Sequence, residues 1–150
     1  MGMKYFAYGS NMDPERMRSR GIRFSKRVHA VLRGYILRFN KVSSRNPREG
    51  YANIVPHKGG IVEGIRYEIP DEDIYKLDKF EGYPYHYNRI EVDVELDDGR
   101  RVRAVTYIAQ PDKVREGLKP SRGYLKHLLA GKDILSESYY EMLKSWPTLD

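Results

Sequence analysis

The sequence predicts an α+β fold in which about six strands, mostly antiparallel, close into a small mixed β-barrel with flanking helices. A chain of 150 residues with 40% hydrophobic side chains is large enough for one compact core, so we expect a single domain over residues 1–150. Strand patterns mostly follow one another along the chain instead of alternating with helices, which argues against a parallel βαβ sheet. Closing the sheet is the way for so short a chain to hide its strand edges.

The first predicted elements are a strand, a tight loop and a helix. Residues 3–8 form a short aromatic run that stops at Gly9, which is typical of a buried strand entering a loop. A helix is expected directly afterwards, because Asp13 is suited to cap it and Pro14 to occupy its first position. We expect this helix to end at Gly21.

The second strand region is long and irregular. Residues 27–42 come close to alternating apolar and polar side chains, with a phase slip near Gly34 where a β-bulge would restore the register. They predict one bent strand or two short ones. The polar residues 43–50 predict a loop that turns the chain back, and strands are expected to resume at residues 51–55 and 60–69.

Later in the chain, a hairpin is predicted around Asp98 and Gly99. Residues 90–96 and 102–108 alternate on either side of this dipeptide, which is one of the strongest hairpin turn signals. We therefore expect two adjacent antiparallel strands.

Three further helices are predicted from their termini. Asp71 is the expected cap of a helix that ends at Gly82, since glycine adopts the left-handed conformation that commonly closes a helix. Ser121 is expected to cap the next helix. A capping box of Ser138 and Glu141 is expected to begin the last one.

Composition excludes several classes of protein. The formal net charge is +6, but charges of both signs make up 32% of the residues and are interspersed, so the chain has no basic tail. The absence of cysteine excludes disulfides, a thiol nucleophile and cysteine-ligated metals, and the four histidines share no metal-ligand spacing, so we expect no metal site. No stretch resembles a signal peptide or a membrane span, and a cytoplasmic location is expected by default.

The loop Tyr8-Gly9-Ser10-Asn11 is the first candidate functional segment. Its residues permit unusual backbone angles, so successive N–H groups can point together at an oxyanion or a carboxylate. The same residues also dominate ordinary turns. The residues alone leave both interpretations open.

Glu81 is the second candidate. It lies at the C-terminal end of a predicted helix and is flanked in sequence by Phe80, Tyr83, Tyr85 and Tyr87. The negative end of the helix dipole and a poorly hydrated aromatic environment both raise the pKa of a carboxyl group, as a general base working near neutral pH requires, whereas the neighbouring Lys79 lowers it. The alternative is a solvated glutamate before a helix-ending glycine.

Three motifs follow one another along the chain. They are Tyr5-Phe6-Ala7-Tyr8-Gly9-Ser10-Asn11-Met12 near the N-terminus, Leu77-Asp78-Lys79-Phe80-Glu81-Gly82 in mid-chain, and Pro120-Ser121-Arg122-Gly123-Tyr124 near the end. In sequence, order and spacing these motifs resemble the gamma-glutamylcyclotransferase family, and the resemblance spans nearly the whole chain. Met12 replaces the commoner leucine, which is a mild departure at an apolar position.

The resemblance implies an enzyme that converts a γ-glutamyl amide into 5-oxoproline and a free amine without a metal or cofactor. Glu81 then matches the acid/base glutamate of the family. The candidate substrate-binding residues are Tyr8, Gly9, Ser10, Asn11, Tyr87 and Tyr124. The expected partner is a small γ-glutamyl compound, with no nucleic acid or membrane, and the sequence leaves monomer or homodimer open.

The chemistry of cyclisation agrees with these residues. The α-amino nitrogen of the substrate must attack its own γ-carbonyl, and that nitrogen is normally protonated near neutral pH. A base must remove the proton first, and Glu81 with a raised pKa is suited to that role.

Two other classes of function remain open from the sequence. One is a module of the same fold that binds γ-glutamyl compounds without converting them, since a fold does not prove an activity. The other is a basic RNA-binding domain, which the net charge and the 13 tyrosines allow but which no recognisable binding motif supports. The leaving amine is equally open among amino acids, dipeptides, polyamines and biosynthetic intermediates.

Overall fold

The structure is a computed structural model that describes residues 2–150. Within them it contains five strands and four α-helices: β1 (Gly2–Ala7), α1 (Pro14–Ser19), β2 (Lys26–Val42), β3 (Gly50–Pro70), α2 (Ile74–Glu81), β4 (Tyr87–Leu96), β5 (Arg101–Ala109), α3 (Arg122–Leu129) and α4 (Glu137–Lys144). Short 3-10 turns cover Ser10–Met12, Asp71–Asp73 and Pro111–Lys113. Among these residues, no helix has the length and apolar character needed to cross a bilayer.

The five strands close into a barrel in the order β1-β3-β2-β4-β5. All neighbouring pairs are antiparallel except β1 and β5, which meet in parallel where Tyr5 lies opposite Val105. The α+β class and the mixed, mostly antiparallel barrel with flanking helices are therefore confirmed. The barrel has five strands, one fewer than the expected number.

The difference in strand number arises in β3. Residues 51–55 and 60–69 were expected to form two strands, but they belong to one bent strand because both segments pair with β2. The irregularity falls where Gly34 of β2 and Gly59 of β3 both have positive φ, at +88° and +79°. The bulge predicted near Gly34 is thus present, and its partner strand bends with it instead of ending.

The predicted turns and three of the predicted helix ends agree with the structure. The Asp98-Gly99 turn joins β4 to β5, with φ of +87° at Gly99. The carboxylate of Asp13 accepts a hydrogen bond from the backbone N–H of Glu15 at the start of α1, and Ser121 caps α3 in the same way. Helix α2 ends at Gly82, where φ is +66°.

Two predicted caps were wrong. Asp71 makes no capping hydrogen bond, because residues 71–73 form a 3-10 turn whose buried Asp73 instead accepts from the backbone N–H of Arg23 at 2.8 Å. Ser138 lies inside α4, and the cap is Ser136, whose hydroxyl accepts from the backbone N–H of Tyr139. At α4 a contact distant in sequence, from Glu63, holds Ser136 as the cap, whereas the start of α2 has no side-chain cap because Asp73 bonds to Arg23 instead.

Ser136 is held by a histidine–carboxylate cluster that joins α4 to the barrel. Glu63 of β3 accepts hydrogen bonds from the Ser136 N–H at 2.9 Å and from its hydroxyl at 2.6 Å. His29 of β2 lies between Glu63, 2.9 Å from its Nε2, and Asp97, 2.6 Å from its Nδ1. Burial lowers the pKa of His29, but the two carboxylates outweigh it and raise the pKa above 6.5.

We expect this cluster to make stability depend on pH. Because the pKa of His29 is raised in the folded state, its contribution is fully present below about pH 6.5 and is lost as the pH rises through the raised value. The contribution should be below about 1 kcal/mol, since water screens the exposed Asp97. The free energy of unfolding can be measured with urea at about pH 5.5 and at about pH 8.5. Between these two pH values it should fall more for the parent protein than for His29→Gln. An equal decrease in both proteins would rule out this role.

Candidate active site

A cavity of about 440 Å³ opens where β1, α2, α3 and the β2–β3 pair approach one another. Its size lies in the range of small-molecule sites. Every candidate site residue predicted from the sequence lines it: Tyr8, Gly9, Ser10, Asn11, Glu81, Tyr87 and Tyr124. The fold therefore brings three motifs that are distant in sequence to one cavity.

The loop after β1 approaches the opposite wall closely at Gly9. A β-carbon there would lie 3.1 Å from the Ala52 β-carbon and 3.5 Å from the Tyr124 hydroxyl oxygen. Its φ is −117°, so glycine is needed for space and not for a left-handed backbone. The following turn leaves the N–H groups of Ser10 and Asn11 without a carbonyl acceptor among residues 2–150. These two groups are available to an anionic ligand.

The Asn11 side chain is engaged by the protein. It is buried, donates to the Tyr5 hydroxyl at 3.0 Å, and accepts from the Arg20 guanidinium at 2.9 Å. The Tyr67 hydroxyl also donates to the backbone carbonyl of Asn11 at 2.7 Å. The Asn11 side chain therefore fixes the loop and orients Arg20. The group of Asn11 that stays free for a ligand is its backbone N–H.

A second bulge in β2 provides the opposite wall. The register shifts between Arg38 and Lys41, so Ala52 of β3 has no direct partner in β2. The Ala52 N–H instead donates to the Tyr124 hydroxyl at 3.0 Å, and its carbonyl accepts from the Tyr87 hydroxyl at 2.7 Å. Because the Tyr124 oxygen is an acceptor here, its own proton is left to donate to a ligand.

Tyr8 is like Tyr87 and differs from Tyr124, because its hydroxyl proton is already donated to a backbone carbonyl. Its hydroxyl donates to the Tyr107 carbonyl at 2.6 Å, deep in the barrel. Since that hydroxyl is already bonded, the contribution of Tyr8 to the cavity is the apolar face of its ring.

Glu81 is the last residue of α2, and 18% of its side chain is exposed. Its Oε2 lies 3.7 Å from the Arg20 guanidinium. Burial raises the pKa of the Glu81 carboxyl, and this effect outweighs the opposing charges of Arg20, Arg16 and Lys41. The direction agrees with the sequence prediction, but the opposing cations are not the predicted Lys79.

The predicted source of the dry environment was correct for Tyr87 and wrong for Phe80 and Tyr85. Phe80 and Tyr85 are 50% and 78% exposed, whereas Tyr87 is buried and lines the cavity. The other buried tyrosines of the cavity come from elements distant in sequence: Tyr5, Tyr8, Tyr107 and Tyr124. Consecutive residues of a helix point in different directions, so Phe80 does not face the same way as Glu81.

Sequence reasoning missed four cations in the cavity: Arg16, Arg20, Lys41 and Arg45. Arg16 and Arg20 are four residues apart at α1, a spacing that places side chains on one helical face. Lys41 is buried two residues after the buried Phe39, at a position where the sequence alternation of Leu37 and Phe39 favours an apolar residue. Both signals were present in the sequence.

The cavity has more positive than negative charge. Among residues 2–150, Arg20 pairs with Glu81, whereas Arg16 and Lys41 form no ion pair with any carboxylate. The buried Nε of Arg16 has no hydrogen-bond partner within the described part of the chain. Within the same residues, no group of three or more His, Asp or Glu side chains is arranged to hold a metal ion.

A family model and a curated relative both match most of this chain. Residues 5–126 match the family described as gamma-glutamyl cyclotransferase, AIG2-like. YkqA of Bacillus subtilis (strain 168), provisionally named a gamma-glutamylcyclotransferase, is 31% identical over 145 residues, which cover 93% of this chain but 50% of YkqA. The chain thus spans about half the length of that relative.

Solved structures are similar over nearly the whole chain. An uncharacterized human protein superposes with a TM-score of 0.87 and 29% identity, covering 99% of this chain and 90% of the human one. A structure described as gamma-glutamyl cyclotransferase gives a TM-score of 0.87 and 28% identity, covering 100% of this chain and 90% of that one. The crystal structure of YkqA gives 0.85 and 30%, covering 98% of this chain and 56% of YkqA.

Proposed function

Since the chain belongs to the gamma-glutamyl cyclotransferase, AIG2-like family, we propose that it converts a γ-glutamyl amide into 5-oxoproline and a free amine, with Glu81 as general base and then general acid. The observation that supports this most strongly is the position of Glu81. It is the only carboxylate among the described residues that line the cavity, and burial raises its pKa. A carboxylate with a raised pKa holds a proton better, as an acid/base group must.

The reaction exchanges one C–N bond for another and moves two protons from the α-nitrogen to the departing amine. Glu81 removes a proton from the α-ammonium group of the substrate, and the freed nitrogen attacks the γ-carbonyl carbon. A tetrahedral oxyanion forms. Glu81 passes its proton to the original amide nitrogen, whose bond to the carbon then breaks. Glu81 takes the second proton from the new lactam nitrogen and gives it to the released amine, which departs as an ammonium, so no water, oxidant or enzyme nucleophile is consumed.

The loop and Tyr124 are proposed to hold the γ-glutamyl group. The N–H groups of Ser10 and Asn11 are suited to the α-carboxylate or the developing oxyanion. Arg16 lies just beyond this loop and adds an unpaired positive charge. The Tyr124 proton is a further donor, and Tyr87 fixes the Ala52 segment against which it packs.

Cyclisation within one molecule makes a metal or cofactor unnecessary in this proposal. The nucleophile and the electrophile are already joined, so a pocket that holds the bent conformer removes much of the entropic barrier. The role of the protein is then to bend the ligand, exclude water and move protons from the α-nitrogen to the leaving amine.

A panel of γ-glutamyl amines, followed by mass spectrometry, tests the proposal. We expect release of 5-oxoproline with an equal amount of free amine from at least one member. Binding of the panel without any release would instead favour the non-catalytic γ-glutamyl-binding module.

A further inference from the structure

Tyr124 lies in the first turn of α3, so its position depends on how the start of that helix is held. The Ser121 hydroxyl caps the turn and accepts a hydrogen bond from the Tyr124 N–H at 3.1 Å. The Tyr124 ring stacks on Tyr51, with ring centroids 4.9 Å apart. Its hydroxyl is the acceptor for the Ala52 N–H. A shift of the first turn of α3 would therefore displace the hydroxyl that is proposed to meet the ligand.

The segment that follows α4, residues 145–150, lies against this turn. The Leu149 N–H donates to the Pro120 carbonyl at 3.0 Å. The Asp150 carboxylate accepts from the Arg122 N–H at 2.8 Å, and the Asp150 backbone carbonyl accepts from the Arg122 guanidinium at 2.7 Å. Because the first N–H groups of a helix have no partner within it, Asp150 supplies one of them from outside. This segment thus helps to fix the start of α3.

Trp146 connects the same segment to Tyr124 through one intervening ring. Phe39 of β2 is buried, and its ring centroid lies 4.9 Å from that of Trp146 at an interplanar angle of 65°. The rings of Phe39 and Tyr124 are 6.4 Å apart at an angle of 88°. Both are edge-to-face contacts, which stabilise aromatic pairs at about 4.5–7 Å. The three rings form a row that leads from residues 145–150 to the wall of the cavity.

This row of rings limits how far Tyr124 can move. Tyr51 stacks on the Tyr124 ring, whereas Phe39 meets it at nearly a right angle, so two rings restrict its position in different directions. Trp146 is half-buried and packs on Phe39 in turn. Removing the indole leaves space into which Phe39 can shift, and Tyr124 can follow. A misplacement of about 1 Å caused by a distant substitution can cost about 10²-fold in rate.

Resting on the function proposed above, we propose that Trp146 is a positioning residue that acts through Phe39. It holds Tyr124 where the hydroxyl accepts from the Ala52 N–H and can donate to the γ-glutamyl group. Trp146 is not among the described residues that line the cavity, so it does not touch the ligand itself. Its effect on the reaction is therefore indirect and depends on the Tyr124 hydroxyl.

Hydrogen exchange of the Ala52 N–H tests the placement of Tyr124 without any substrate. The reference is the Ile65 N–H, in the part of β3 that pairs with both β1 and β2. In Trp146→Ala we expect exchange at Ala52 to accelerate about 2- to 10-fold more than exchange at Ile65, the range for one net hydrogen bond. A Trp146 that only supported overall stability would give the opposite pattern. Global unfolding would then accelerate exchange at Ile65 at least as much as at Ala52.

A double-mutant cycle tests the effect on turnover. Trp146→Ala should lower kcat/KM for 5-oxoproline release by about 2- to 10-fold in the parent protein. In a Tyr124→Phe background the same change should alter kcat/KM by less than about twofold. Trp146→Phe keeps an aromatic ring against Phe39 and should restore most of the loss. The matched control is Tyr140→Ala, which removes an aromatic ring of α4 that lies 5.2 Å from the Lys132 ammonium, and it should change neither readout.

Each outcome has a distinct meaning. Equal acceleration of exchange at Ala52 and Ile65 overturns the inference, and so does an equal loss of kcat/KM with and without the Tyr124 hydroxyl. If Trp146→Ala does not fold, Trp146→Leu, which keeps an apolar side chain at this position, gives the same comparison. If no γ-glutamyl amide releases 5-oxoproline in the parent protein, the proposed function fails, and exchange at Ala52 still decides whether Trp146 positions Tyr124.

Discussion

Glu81→Gln should lower kcat/KM for 5-oxoproline release by about 10²- to 10⁴-fold, the usual contribution of a general base. The amide has nearly the same shape as the carboxylate and keeps the cavity filled, but it cannot take the proton from the α-ammonium group. Substrate binding should survive, because the loop amides, Arg16 and Tyr124 are unchanged. The measurement is a continuous or mass-spectrometric assay of 5-oxoproline.

A second readout separates lost catalysis from lost folding. Burial disfavours the charged form of Glu81, so the free energy of unfolding of Glu81→Gln near neutral pH should not fall below that of the parent. The matched control is Glu72→Gln, which alters an exposed carboxylate before α2 and should keep normal turnover. Turnover by Glu81→Gln at close to the parent rate would exclude Glu81 as the base.

Gly64→Ala should lower the free energy of unfolding by about 1–3 kcal/mol or more, the range for an overpacked core. A β-carbon at Gly64 would lie 2.4 Å from the Ala7 carbonyl oxygen and 2.8 Å from two atoms of the Phe6 ring. Relief requires a shift of β1, which leads directly into the loop at Gly9. Urea unfolding gives the change in the free energy of unfolding. In the 5-oxoproline assay, turnover should be reduced in proportion to the fraction of the protein that remains folded.

The matched control for this substitution is Gly123→Ala. Gly123 lies in α3, and no atom is within 4 Å of a β-carbon placed there. Alanine favours the helix by about 1 kcal/mol over glycine, so this variant should be equally stable or more stable. If Gly64→Ala unfolds at the same urea concentration as the parent, β1 and β3 do not approach each other as closely at Gly64 as described above.

Local signals in the sequence predicted most of the fold. The Asp98-Gly99 turn and the caps at Asp13 and Ser121 need only a few neighbouring residues, and all of them are confirmed. The continuity of β3 was missed because it depends on pairing with β2, which no local pattern in residues 56–60 records. The choice of Ser136 over Ser138 likewise depends on Glu63, far away in sequence.

The candidate site could be predicted in part. The family resemblance and local chemistry selected Glu81 and the loop at Gly9, and the barrel brings them to one cavity. The buried tyrosines around the carboxylate come from several strands and α3, so their convergence follows from the barrel and not from spacing. Lys41 was missed although its position follows the alternation of Leu37 and Phe39, because lysine is rarely buried.

A carboxyl-resolved NMR titration of Glu81 tests the central claim most directly, with Glu81→Gln used to assign its resonance. We predict a pKa above the ordinary glutamate value of 4.5, because the buried tyrosine-lined cavity disfavours the charged form more strongly than Arg20, Arg16 and Lys41 favour it. The rate of 5-oxoproline release should fall as the pH drops through that same value. A pKa of 4.5 or below, or a rate that does not follow the titration, would contradict the account.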